Sequence, residues 1–169
     1  FRVAHKLGLM FRPETPLPDD VKNWAISQLK AKSPALGISQ IGTKVKPWPK
    51  SLQPDLMARD TMFANWFQRR RLGDASNASN AERQANRKEN LMKEKDELKF
   101  SHRNVYGKDQ VRLRFASFWA NHFTTGDIHD NANHIGHALD EAILANLNGD
   151  FSHMLYKVTS HPAMLIYLD

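Results

Sequence analysis

The chain has 169 residues, 41% hydrophobic and 25% charged, enough for one domain with its own core and ordinary for a soluble globular protein. It contains no cysteine, which excludes disulfides and thiol chemistry and leaves the redox compartment undecided. The formal charge is +6, and no apolar run approaches the roughly 18 residues of a membrane-spanning helix.

Phe1 to Phe11 mixes basic and apolar side chains but is too short and too interrupted for a signal peptide. With no initiator Met, the chain reads as a processed or partial product. Pro18-Asp19-Asp20 opens a predicted helix from Val21 to Lys32, with acids at its start and lysines at its end, as the helix dipole favours. Ser33 to Pro54 carries Pro34, Pro47, Pro49 and Pro54 and reads as an irregular connection, because proline removes donors and fixes φ. Asp55 to Leu72 is helical again. Leu56, Phe63 and Phe67 fall on one stripe, and Gly73 is placed to cap the end.

Asp74 to Lys108 differs in kind. Its main part, Ala75 to Lys99, is rich in Asn, Glu and Lys, with Leu91, Met92 and Leu98 its large apolar residues. So little apolar area does not offset the entropy of ordering. The expectation is an exposed polar insertion, part flexible and part solvated helix, dispensable for folding. Ten basic and six acidic residues lie between Arg69 and Arg103, so most of the net charge is local. A nucleic-acid surface interleaves such charges with stacking aromatics, and none lies between Gly73 and Lys99. Nucleic acid is therefore not the expected partner, and a solvated face is.

From Val111 the pattern becomes apolar. Val111, Phe115, Phe118 and His122 recur at helical spacing, with Leu113, Ala116, Ala120 and Phe123 as an adjacent stripe. Thr124 to Asp127 ends this helix. A second is predicted from Asn131 to Asn148, with Ile135, Leu139, Ala142, Ile143 and Leu147 on its core face. A third spans Phe151 to Thr159, and a fourth starts at Ser160-His161-Pro162. Period-two alternation is nowhere sustained. The fold class is all-α: one irregular multi-helix domain over residues 1–169 with a long polar insertion at 74–108.

Three runs carry a resemblance: FWANHFTTG (Phe118 to Gly126), GDF (Gly149 to Phe151) and HPAMLIYLD (His161 to Asp169). They resemble a large bacterial family catalogued as domain of unknown function number eighteen hundred. Its members share an aromatic helix reading roughly FWxNHF, a downstream GxF and a DPAML-YLD run. WAISQL (Trp24 to Leu29) is similar to an early W-x-x-x-QL, and Trp66 to Leu72 to a Trp-rich helix ending in Arg and an apolar residue. Two departures stand out. About thirty-five polar residues join helices that the family links by a short turn, and the family continues past YLD into a stretch with Asn, Glu and Arg, whereas this chain stops at Asp169. The resemblance implies the N-terminal part of an exported, mostly helical bacterial protein, periplasmic or extracellular, with no assigned chemistry.

His122, beside Asn121, stands on the apolar stripe of the central helix. Buried there, it is either a metal ligand or general base or a core histidine held by backbone or a carboxylate. The resemblance brings the first reading level with the second. Either way a ring nitrogen needs a partner from outside the helix, because an unsatisfied buried polar group costs on the order of 1–3 kcal/mol. Asp130, His134, His137 and Glu141 share one face of the next helix. They suit zinc or iron, but they lie opposite Ile135, Leu139 and Ile143, and the expected reading is a solvent-facing stripe. His129 and Asp127 can join either grouping. Asp169, closing the YLD run, is a site candidate through the resemblance alone.

Two functions remain open. One is a metal-assisted, hydrolase-like exported enzyme with His122, Asn121 and Asp169 in its site and a divalent metal as cofactor. The other is a non-catalytic helical scaffold or binding module working with an exported protein partner. A metal near His122 or His134 favours the first; a large exposed apolar patch favours the second.

Overall fold

The structure, a computed structural model, describes residues 18–30, 54–71, 79–107, 109–126 and 132–168. Among them every regular element is helical. The helices are α1 (Val21–Lys30), α2 (Leu56–Arg71), α3 (Asn80–Tyr106), α4 (Gln110–His122), α5 (Ala132–Ala138), α6 (Phe151–Thr159) and α7 (Pro162–Leu168). A π-helical turn, Leu139–Ile143, and a 3-10 turn, Leu144–Asn146, continue α5. The all-α class thus holds. Residues 33–53 of the predicted connection and the cap at Gly73 lie outside the described residues.

Acids start the first two helices. Asp20 accepts from the Asn23 N–H at 3.0 Å and Asp55 from the Ala58 N–H at 2.9 Å, each satisfying a donor that a helix end leaves free. The core is small and lies between α4, the π and 3-10 turns, α6 and α7: Leu113, Ala116, Ala142, Ile143, Leu144, Met154, Val158 and Met164. α5 is the hub, packed on α2, α3 and α7.

Three expectations are corrected here. The polar segment 74–108 is not merely a solvated insertion, since from Asn80 it forms the longest helix among those described and packs on α5. Its buried stripe is Met92, Asp96 and Arg103, with Lys99 half-buried. That face is buried through ion pairs rather than apolar area, which composition alone does not reveal. On α4 the buried stripe is the adjacent one: Leu113 and Ala116 are buried with Val111, while Phe115, Phe118 and His122 are exposed. The second predicted helix breaks its α geometry at Leu139. There the Leu144 N–H reaches both Leu139 and Asp140 carbonyls, and Asn146 Nδ2 donates to the carbonyls of Glu141 (2.9 Å) and Ala142 (3.0 Å). The Arg112 guanidinium takes the Leu144 carbonyl.

Gly136 marks the closest approach of α5 to α3. A Cβ at this position would fall 2.5 Å from the Asp96 Cβ, so no larger residue fits without moving α3. The α3–α5 spacing is thus set by a missing side chain on one helix and a buried carboxylate on the other.

Candidate functional site

The junction of α2, α3 and α5 is built on charge. Arg59 on α2 is 1% exposed. Its Nη1 and Nη2 donate to the two carboxylate oxygens of Asp96 at 2.6 and 3.1 Å. Nη1 also donates to the Asn133 carbonyl, and Nε to the Pro54 carbonyl at 3.0 Å. Further along α3, Lys99 pairs with Asp140, and Arg103 Nη2 pairs with Asp109 at 3.0 Å. A buried bidentate pair whose remaining donors are also used is held firmly. These charges are matched to one another and serve to hold helices together.

Beside them lie three imidazoles. His134 is 0% exposed, against the expectation of a solvent-facing residue. The face opposite Ile135 is covered by α2, which brings Asp60 to 2.8 Å from Nε2 and the Phe63 ring edge-on at 5.8 Å. The Asp60 carboxylate accepts, so Nε2 carries the proton, while Nδ1 is buried with no partner among the described residues. Burial pushes the His134 pKa below its ordinary value, against the pull of Asp60.

His137, one turn on, is half-buried. Its Nδ1 lies 3.2 Å from His161 Nε2 and 3.2 Å from Glu141 Oε2. His161 is buried at the N-terminus of α7, where its Nδ1 accepts the Ala163 N–H at 3.1 Å. The ring therefore acts as an N-cap, and with Nδ1 accepting, the neutral ring carries its proton on Nε2. Burial first, then the neighbouring His137, pushes the His161 pKa down to about 4. Burial likewise lowers His137, and Arg59 adds to it. Both rings are neutral at pH 7, as metal ligands must be, although the His161 proton stands on Nε2 while Nδ1 caps α7.

Of the other candidates, Asp130, Asp127, His129 and Asp169 lie outside the described residues. His137 and Glu141 are brought together, but His134 is committed to Asp60 rather than to them. His161 is not among the residues that the sequence singles out; Ser160-His161-Pro162 reads as a helix start, and nothing local predicts that α7 returns to α5. His122 is corrected most sharply. It is exposed, packed only between the rings of Phe118 (6.4 Å), Trp119 (5.6 Å) and Phe123 (5.1 Å), with no hydrogen bond among the described residues. The stripe that carries it faces outward because smaller residues, Leu113 and Ala116, make the helix contacts instead. Asn121 is also exposed and borders a mostly apolar hollow of about 730 Å³ between α3, α4 and α5.

An all-helical domain with a charge-paired interior and a histidine–carboxylate group at a helix junction is the class that fold and site define. The family model described as "Protein of unknown function (DUF1800)" matches residues 11–169, and the chain belongs to that family. No curated protein and no solved structure matches it.

Proposed function

We propose that this domain is an exported helical binding module that docks an acidic, amphipathic helix of a partner protein on the aromatic face of α4 and α6. The observation that carries the reading is a set of large apolar side chains on α4 and α6 left in solvent. Phe118 is 59% and Tyr156 66% exposed, and Phe115, Phe151 and Leu155 are exposed as well. The rings interlock across the two helices: Trp119 lies 5.1 Å from Phe118, 5.7 Å from Phe123 and 5.3 Å from Phe151. Such a face is stiff, large and amphipathic at low entropic cost, the composition of binding hot spots. Grooves of this kind take helices whose apolar residues recur every three or four positions.

Charge bears on the occupant through Lys157, which stands exposed beside Tyr156 on α6, so an acidic residue on the docking helix is attracted there. No described helix is long and apolar enough to cross a membrane. Export enters the proposal from the resemblance of the FWANHF and HPAMLIYLD runs. Metal-assisted chemistry at His122 has no support in the geometry, since its ring stands in this exposed face rather than in an enclosed site.

The test is to pan a random peptide library on the purified domain and on the Phe118→Asp/Tyr156→Asp double variant. Acidic amphipathic helices should be enriched on the first and weakened at least tenfold on the second, whose circular dichroism stays unchanged. Enrichment indifferent to the two substitutions, or dimerisation of the domain through this face in sedimentation, overturns the reading. Fractionation of source cells tests export; recovery in the cytosol alone removes that part.

A further inference from the structure

We propose that His137, Glu141 and His161 form a binding site for one divalent transition-metal ion of the zinc class. The three residues each offer one ligand atom, and these atoms all lie within 4.8 Å of one another. Two of the separations, His137 Nδ1 to His161 Nε2 and His137 Nδ1 to Glu141 Oε2, are 3.2 Å. A tetrahedral ion with bonds of about 2.0–2.1 Å to nitrogen and oxygen sets its ligands about 3.3–3.4 Å apart. The two observed edges need only a few tenths of an ångström to match. Two imidazoles and one carboxylate leave a fourth position open, as zinc sites with an exchangeable water do. Glu141 is exposed while His161 is buried, so that open side has access to solvent.

The metal-free arrangement carries a conflict that an ion removes. His161 Nδ1 accepts the Ala163 N–H, so the neutral ring presents Nε2–H to His137. His137 Nδ1 then either accepts from His161 or donates to Glu141; one nitrogen does not do both. In the first state the Glu141 carboxylate faces a lone pair, and in the second the His161 proton faces another proton. A cation placed among the three atoms replaces both repulsions with attraction. The rings are already neutral at pH 7, as ligands must be.

Loading has one local consequence. Nε2 of His161 must expose its lone pair, so the ring proton moves to Nδ1 and the Ala163 cap is released. α7 keeps its start, because the Met164 and Leu165 N–H groups donate to the His161 carbonyl at 2.9 and 3.1 Å. The backbone under Glu141 is the π-helical turn, a rare form that is frequent at functional sites. His134 takes no part, its Nε2 being held by Asp60.

The experiment strips the protein with chelator and titrates it with Co2+, then Zn2+. Two variants accompany it: Glu141→Gln, at an exposed position, and His161→Asn, whose amide retains an N-cap acceptor. One equivalent of Co2+ should give the intense visible bands of a tetrahedral complex, displaced by Zn2+ and accompanied by a rise in Tm. Glu141→Gln should weaken uptake at least tenfold, and His161→Asn should abolish the tetrahedral spectrum while remaining folded. Absence of uptake by the parent protein overturns the proposal, as does uptake that both variants retain.

Discussion

Two faces of this molecule invert the usual division of residues. Along α3, Asp96 and Arg103 are buried with Arg59 of α2, while Phe118, Phe151 and Tyr156 on α4 and α6 stand in solvent. The buried charges are tolerated because each has a partner at hydrogen-bond distance, and the rings are left out because the α4 core contacts are already made by Leu113 and Ala116. Satisfaction of partners, not polarity as such, decides what goes inside. The first face holds helices together, and the second is free to hold something else.

The most damaging way to break the comparison is to orphan a buried charge. Arg59→Met leaves Asp96 short of its bidentate partner, and loss of one member of a buried pair costs about 3–5 kcal/mol. Urea unfolding should show that loss, and Asp96→Leu alone should show one of similar size. The Arg59→Met/Asp96→Leu double variant should recover a large share of it, because no charge is then stranded. Additive losses would mean that the pair does not couple and that α3 is held by other contacts.

This face is the least legible in the sequence. Helices with apolar or capped signatures are readable: Val21 behind Asp20, Leu56 behind Asp55, and Phe151–Thr159 with the boundaries predicted for it. α3 has almost no apolar periodicity, and its stripe of buried Met92, Asp96 and Arg103 with half-buried Lys99 looks in isolation like any solvated charged face. Only the partners reveal it, and two of them, Arg59 and Asp140, lie far off in sequence. The same holds for the candidate site. The helical spacing of His137 and Glu141 is visible, but His161 joins them through the return of α7 onto α5, a tertiary event with no local signal. The choice between two adjacent stripes on α4 is likewise undecidable from periodicity, since both are apolar.

A second group of expected effects concerns protons. Burial lowers the pKa values of His134 and His137 from the ordinary 6.5, and that of His161 to about 4. The folded protein therefore keeps these rings neutral where the unfolded chain would bind protons. Unfolding takes up protons, so stability is full above about pH 6.5 and falls as pH drops toward 4. In chelator-treated protein, Tm should decline over that window. His161→Asn removes one of the three rings and should make the decline shallower. A decline of unchanged steepness would show that His161 contributes nothing to it.

Gly136→Ala sharpens the comparison from the packing side. The new methyl would meet Asp96 at 2.5 Å, and overpacking of this kind costs about 1–3 kcal/mol. The loss should appear in the urea midpoint with little change in slope. A neutral result would mean that α3 moves away from α5 easily and that the ion pair adapts to a wider spacing.

The smallest effect is expected at the aromatic face, and it is the one that separates the two faces most cleanly. Phe118→Ser removes a large apolar ring, and from a core such a change costs several kcal/mol. Here the ring is 59% exposed, with Trp119 edge-on at 5.1 Å and His122 stacked at 6.4 Å as its ring neighbours. No cavity forms, because solvent already reaches the position. Surface substitutions of this kind fall within about 0.5 kcal/mol of zero. Urea unfolding of the isolated domain should therefore be nearly unchanged, while solubility rises as the patch shrinks. A loss of several kcal/mol would show that Phe118 is covered in solution. The face would then belong to the fold like the α3 stripe, and the docking proposal would lose its surface.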